Sequence, residues 1–197
     1  ETVAAGGGSI CGYDGYKLFV GPESAGAQPG PACYGVGGPL TVTDVNLLSG
    51  HLAPDAFGIP LDMQAAEQAL TAIQTASGQN KEALLEGFQA IANEKMADAI
   101  RAISVRKGYD PKAYALLAFG GAGGQHACRV AKLLGISTVI VPGDAGLLSA
   151  YGMGEARIER FASKQVLTPL LDCEAGLSQW LDELSKEALL KLQQEGF

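Results

Sequence analysis

Several common signals are missing from this sequence, and each absence removes a class of function. Its four cysteines, Cys11, Cys33, Cys128 and Cys173, are widely spaced and form no C-x-x-C pair, which argues against a zinc knuckle or a disulfide framework and leaves reduced thiols. No basic run stands out among 14 Lys+Arg set against 21 Asp+Glu, a formal charge of −7, so neither nucleic acid nor anionic membrane is expected as a partner. There is no signal peptide and no apolar run of spanning length, so a soluble, cytoplasmic protein is expected. No Ser/His/Asp or Cys/His arrangement can be read, and no catalytic residue is assigned. His126 has no second histidine or cysteine at ligand spacing, and no metal ligand is assigned either.

What the sequence does hold is glycine, 27 residues of 197, in a chain 47% hydrophobic and 18% charged that can bury a core as one or two domains. The organising stretch is 116–141. An unbroken apolar run, Tyr114 to Phe119, suits a strand buried on both faces, and Gly120, Gly121, Gly123 and Gly124 suit a tight turn into a helix from about Gln125. Such glycines let a ligand approach the backbone, and the helix start offers unpaired N–H groups to an anion. The spacing is neither G-x-G-x-x-G nor a Walker motif, so the residues alone leave this turn open between ligand binding and packing. Gly135 closes the helix, Thr138 to Val141 form the next strand, and Pro142 to Gly146 turn into a short helix, Leu147 to Met153. The order is βαβ-like, which puts both turns at the carboxyl ends of parallel strands, where ligands of such sheets bind.

A second glycine cluster, Gly6-Gly7-Gly8-Ser9, follows a strand at Thr2 to Ala5 and leads into a predicted β-hairpin, Ile10 to Tyr13 and Tyr16 to Val20, turning at Asp14-Gly15. A phosphate held there would lie in a nest of backbone N–H groups; a plain tight turn is the alternative. Gly21 to Pro39 is too rich in glycine and proline for a helix or a central strand and reads as a binding loop or a mobile surface loop. A short helix starts near Thr41, with Thr43 or Asp44 as cap, and Asp44 is either an exposed cap or a ligand contact. Helices are predicted over 62–76 and 80–107. The second is on the order of 40 Å long and carries an apolar stripe from Leu84 to Ile103, with Asn93, Glu94 and Lys95 on a solvated face. Arg157 to Leu167 is a predicted strand, and Leu177 to Gln194 an amphipathic helix.

Four stretches in order, 2–9, 21–34, 41–47 and 118–128, together resemble the hydantoinase A/5-oxoprolinase family. Ala4-Ala5 and the run Gly123 to Cys128 are more similar to ATP-dependent 5-oxoprolinases than to N-methylhydantoinases. The resemblance implies an α/β fold, part of an actin/Hsp70/sugar-kinase-like ATPase with a mixed sheet and packed helices, binding ATP and Mg2+. By that analogy Gly6, Gly7, Gly8 and Ser9 form a phosphate-binding turn, and Gly120, Gly121, Gly123 and Gly124 with Gln125 an adenosine-side turn. Asp44 would be a polar contact near the phosphates or their Mg2+.

The implied reaction phosphorylates and opens a lactam ring, as from 5-oxoproline to glutamate in glutathione metabolism. Catalysis of that kind works mainly by positioning and charge neutralisation. An Asp-x-Gly-Gly-Thr-type first phosphate loop has no counterpart here. The chain is therefore expected to be a fragment of the ATPase domain, inactive alone. Residues 1–50 would be its phosphate-side hairpin and loop, 51–110 a helical segment and 111–197 an adenosine-side segment. Expected partners are a small cyclic amide, the remaining domains or a hydantoinase B-like hydrolase part, and a second copy through surface left uncovered. The alternatives are a subunit of an N-methylhydantoinase or ketone carboxylase, and a non-catalytic nucleotide-binding scaffold module.

Overall fold

Ser9–Tyr13 (β1) and Leu18–Ser24 (β2) pair as an antiparallel hairpin in the computed structural model, which describes residues 5–196. The turn is set by Asp14, whose Oδ1 accepts from the N–H groups of Tyr16 and Lys17 at 3.0 Å each. The strand expected at Thr2 to Ala5 lies, apart from Ala5, outside the described residues. β2 continues through Pro22 to Ser24, further than the glycine and proline content suggested. It can do so because its register against β1 shifts between Ser9 and Cys11 and because it has a single neighbour. Past the loop, Val42–Leu48 forms α1.

Met63–Ser77 (α2) and Lys81–Arg106 (α3) begin where the sequence places them, because Asp62 and Asn80 each accept from the N–H three residues on, at 3.0 and 2.8 Å. α3 serves two cores. Its first half packs Leu84, Leu85, Phe88 and Ala92 with Val20, Val42, Val45 and Leu70, and its second half packs Ala97, Met96 and Ile100 with the helix that follows the central glycines. Between them Gln89 and Asn93 are buried one turn apart.

The stretch at Asn93 to Lys95 is therefore only partly a solvated face, Glu94 keeping about half of its side chain exposed. Asn93 is internal, Glu94 pairs with Arg101 at 2.6 Å, and Lys95 Nζ donates to the Val20 carbonyl.

Leu116–Leu117 (β3) and Val139–Ile140 (β4) pair in parallel and bracket Gly123–Leu134 (α4), the expected βαβ order. β3 is far shorter than the run Tyr114 to Phe119, and it has one neighbour, so Leu117, Phe119 and Ile140 remain about half exposed. Gly135, at φ +68°, ends α4 and lets Ile136 N–H reach the Ala131 carbonyl at 2.9 Å. The described strands thus form two small sheets, one antiparallel and one parallel.

The chain divides into two compact units, Glu1–Ser149 and Ala150–Phe197, with Leu148–Glu155 (α5) at the boundary. In the second unit Leu170–Cys173 (α6) precedes Leu177–Gln194 (α7), the helix expected there. Residues 157–167 are not a strand. Among the described residues no strand lies in this unit to pair with them, and they run along α7 through Lys164 to Glu183 at 3.2 Å and Lys191 Nζ to the Phe161 carbonyl at 3.2 Å. Among the described residues no helix is long and apolar enough to cross a membrane.

Candidate functional site

The two glycine turns converge. Gly6-Gly7-Gly8 is closed by Ser9, whose N–H donates to the Gly6 carbonyl and whose Oγ accepts from Gly6 N–H, both at 3.0 Å. Thr43, at the start of α1, ties the turn down: its N–H and Oγ1 both donate to the Gly7 carbonyl, at 2.9 and 3.0 Å. The second turn is fixed at Gly120, which has φ +84° and donates to the Ala145 carbonyl at 2.7 Å. A cavity of about 310 Å³ has Gly7, Gly8 and Thr43 on one side and Gly121, Ala122 and Gln125 on another, with Tyr34, Leu52 and Phe57 completing an apolar wall. A neighbouring cavity of about 290 Å³ is lined by Gly6, Gly7, Gly123 and His126 among mostly apolar residues.

These turns present donors. Among the described residues, the N–H groups of Gly7, Gly8, Gly121, Gly123 and Gly124 meet no acceptor, and no side chain caps the first turn of α4. A Cβ added at Gly121 or Gly124 would meet nothing within 4 Å, so packing does not explain those glycines, whereas one at Gly7 would come within 2.7 Å of Thr43 Oγ1. Backbone donors with room in front of them suit phosphate oxygens.

Other predicted site residues sit elsewhere. Ser9 is buried and holds its own turn. Asp44 is fully buried and lines neither cavity, being neither an exposed cap nor turned toward a ligand. Its Oδ2 accepts from Ala32 N–H at 3.1 Å, Thr41 N–H at 2.7 Å and Thr41 Oγ1 at 2.9 Å, and its Oδ1 from Cys33 N–H at 2.7 Å. Thr41, not Thr43, is the N-cap, and Asp44 fastens the Gly/Pro-rich loop onto the start of α1. Asp44, so engaged, does not fit the role of a Mg2+ ligand, and among the described residues no group of three His, Cys, Asp or Glu side chains converges.

Behind the second turn lies a polar cluster that sequence reasoning missed. His126 Nδ1 is 2.9 Å from Asn93 Oδ1 on α3, and its Nε2 is 3.1 Å from Asn46 Nδ2 on α1. Asn46 Nδ2 also donates to Gln125 Oε1 at 2.6 Å. Asn46, Asn93 and His126 are all buried. Burial pushes the His126 ring below the ordinary histidine value, and His51 and Arg129 add to that shift. The sequence signal for this cluster was an asparagine inside each apolar stripe, Asn46 beside Val45 and Leu47, and Asn93 beside Ala92.

With two glycine turns facing one cavity, the fold is that of the actin/Hsp70/sugar-kinase-like ATPases, shared with two solved relatives. One is the ATP-dependent caprolactamase from Pseudomonas jessenii, with a TM-score of 0.76 and 38% identity over 100% of this chain and 30% of that one. The other is acetone carboxylase in its nucleotide-free state, with a TM-score of 0.75 and 30% identity over 98% of this chain and 29% of that one. Residues 1–161 match the hydantoinase/oxoprolinase family, and the chain belongs to it. It is 39% identical to 5-oxoprolinase 1 of Arabidopsis thaliana over 100% of its length, and 45% identical to 5-oxoprolinase PfmaA of Pestalotiopsis fici over 81%. It spans 17% and 14% of those two proteins.

Proposed function

We propose that this chain is the part of an ATP-dependent cyclic-amide hydrolase that grips the nucleotide, with 5-oxoproline as the substrate of the parent protein. The observation that carries the reading is the cavity walled by Gly7 and Gly8 on one side and Gly121 and Gln125 on another. The N–H groups of these turns bind and orient the phosphates, and the missing Cβ atoms at Gly121 and Gly124 leave the approach open. The γ-phosphoryl group passes from ATP to the lactam carbonyl oxygen, releasing ADP. In a second, hydrolytic stage one water adds at the ring carbon, the C–N bond opens as the ring nitrogen takes a proton, and the acyl phosphate so formed is hydrolysed by a second water to the carboxylate and inorganic phosphate. The second step is assigned to domains or subunits beyond this chain, and no step is assigned to Mg2+.

The likeness to acetone carboxylase supports a second reading, in which the same turns serve phosphoryl transfer to a ketone oxygen. ADP release by the parent protein, measured separately with 5-oxoproline, caprolactam, hydantoin and acetone, distinguishes them. ATP hydrolysis driven by the cyclic amides supports the first reading, hydrolysis driven by acetone alone the second, and hydrolysis driven by none overturns both.

A further inference from the structure

The cluster behind the second turn has a direction. An amide NH2 group only donates, so the 3.1 Å contact between Asn46 Nδ2 and His126 Nε2 requires the ring to accept there and to carry its proton on Nδ1, facing Asn93 Oδ1 at 2.9 Å. The second N–H of Asn46 goes to Gln125 Oε1. That leaves the Gln125 NH2 with no acceptor among the described residues, on a residue that lines the 310 Å³ cavity together with Gly121 and Gly8, whose N–H groups are open. The amide then adds a donor to the open N–H groups of the turns.

We propose that Gln125 contacts the phosphate-bearing ligand through its NH2 group, and that Asn46 and His126 are positioning residues that hold the amide in that orientation. This rests on the nucleotide reading above. A doubly protonated His126 has no acceptor to offer Asn46. The amide of Asn46 must then turn its oxygen to the ring, Gln125 must turn its own NH2 to Asn46, and the cavity receives the Gln125 oxygen instead. An acceptor facing phosphate repels it. The groups around the ring favour the neutral form: α1 and α3 meet it through uncharged Asn46 and Asn93, and the charged neighbour, Arg129 on α4, is a cation, with the titratable His51 lying beyond α1.

The test is the ATP affinity of the parent protein, without acceptor substrate, from about pH 8 to about pH 5.5. Wild type, His126→Gln, which cannot take up a proton, and Asn46→Asp, which cannot donate to Gln125, are compared, with the thermal transition of each recorded. The proposal expects the wild-type affinity to fall on acidification more than that of His126→Gln, whose profile keeps only the nucleotide's own titration. It expects Asn46→Asp to bind about tenfold or more weakly at pH 8 while remaining folded. Parallel wild-type and His126→Gln profiles, or a folded Asn46→Asp protein of unchanged affinity, overturn the relay and leave the nucleotide reading standing. Absence of ATP binding by the wild type at pH 8 overturns that reading and the relay with it.

Discussion

Cys33 N–H donates to Asp44 Oδ1 at 2.7 Å, joining the Gly/Pro-rich loop to the first turn of α1 in the interior of the protein. Three further donors, from Ala32 and Thr41, complete the shell around the carboxylate. Asp44→Ala would strand the buried donors of Cys33 and Thr41, while Ala32 N–H keeps its bond to the Pro39 carbonyl, at a cost of about 3–5 kcal/mol. Chemical denaturation of the parent protein is expected to show its first transition shifted to lower denaturant. An Asp44→Ala protein of wild-type stability that had lost only ATP binding would contradict the structural role.

The two turns should respond differently to a single methyl group. At Gly7 a Cβ meets Thr43 Oγ1 at 2.7 Å, so Gly7→Ala is expected to disturb the α1 anchor and lower stability by about 1–2 kcal/mol. At Gly121 it meets nothing, so Gly121→Ala should leave the thermal transition unchanged or raise it slightly, by about 0.5 kcal/mol, while weakening ATP binding. Calorimetry with and without ATP separates the two effects.

Acidification should loosen the unit that holds His126. Its pKa in the folded state lies below the ordinary 6.5, so the unfolded chain takes up the proton first. The stability from keeping the ring neutral is fully present above about pH 6.5 and is lost as pH falls through the lower folded value. Hydrogen exchange at α4 is expected to quicken below that pH in the wild type and not in His126→Gln.

Thiol reactivity should single out one cysteine of four. Cys11, Cys33 and Cys173 are buried and Cys128 is exposed. Burial pushes the Cys11 and Cys33 thiols well above their ordinary range, and the carboxylate of Asp44 adds to both. Iodoacetamide labelling followed by peptide mass spectrometry is expected to modify Cys128 first. Cys33 reacting as fast as Cys128 would contradict the buried loop anchor.

Much of the fold was legible because local chemistry decided it. Asp62 and Asn80 mark two helix starts, Gly135 a helix end, and Asp14-Gly15 a hairpin turn. The βαβ order linked the central glycine turn to Pro142 to Gly146, and only the family resemblance joined the N-terminal glycine turn to it. Long-range packing decided the rest. Asn93 looked solvent-facing because its spacing on α3 does not reveal that α1 and α4 meet there, and Asp44 looked available because nothing local shows the loop at Ala32 and Cys33 folding over it. Residues 157–167 read as a strand but have no partner strand among the described residues of their unit.

The central claim is that the open face of the Gly121 turn holds ATP for ring opening. It is tested most directly by ADP formation from ATP and 5-oxoproline in the parent protein, wild type against Gly121→Ala. The account predicts turnover in the wild type and a loss of about tenfold or more in kcat/KM for ATP in a variant of unchanged thermal stability. Equal turnover in the two proteins would contradict it.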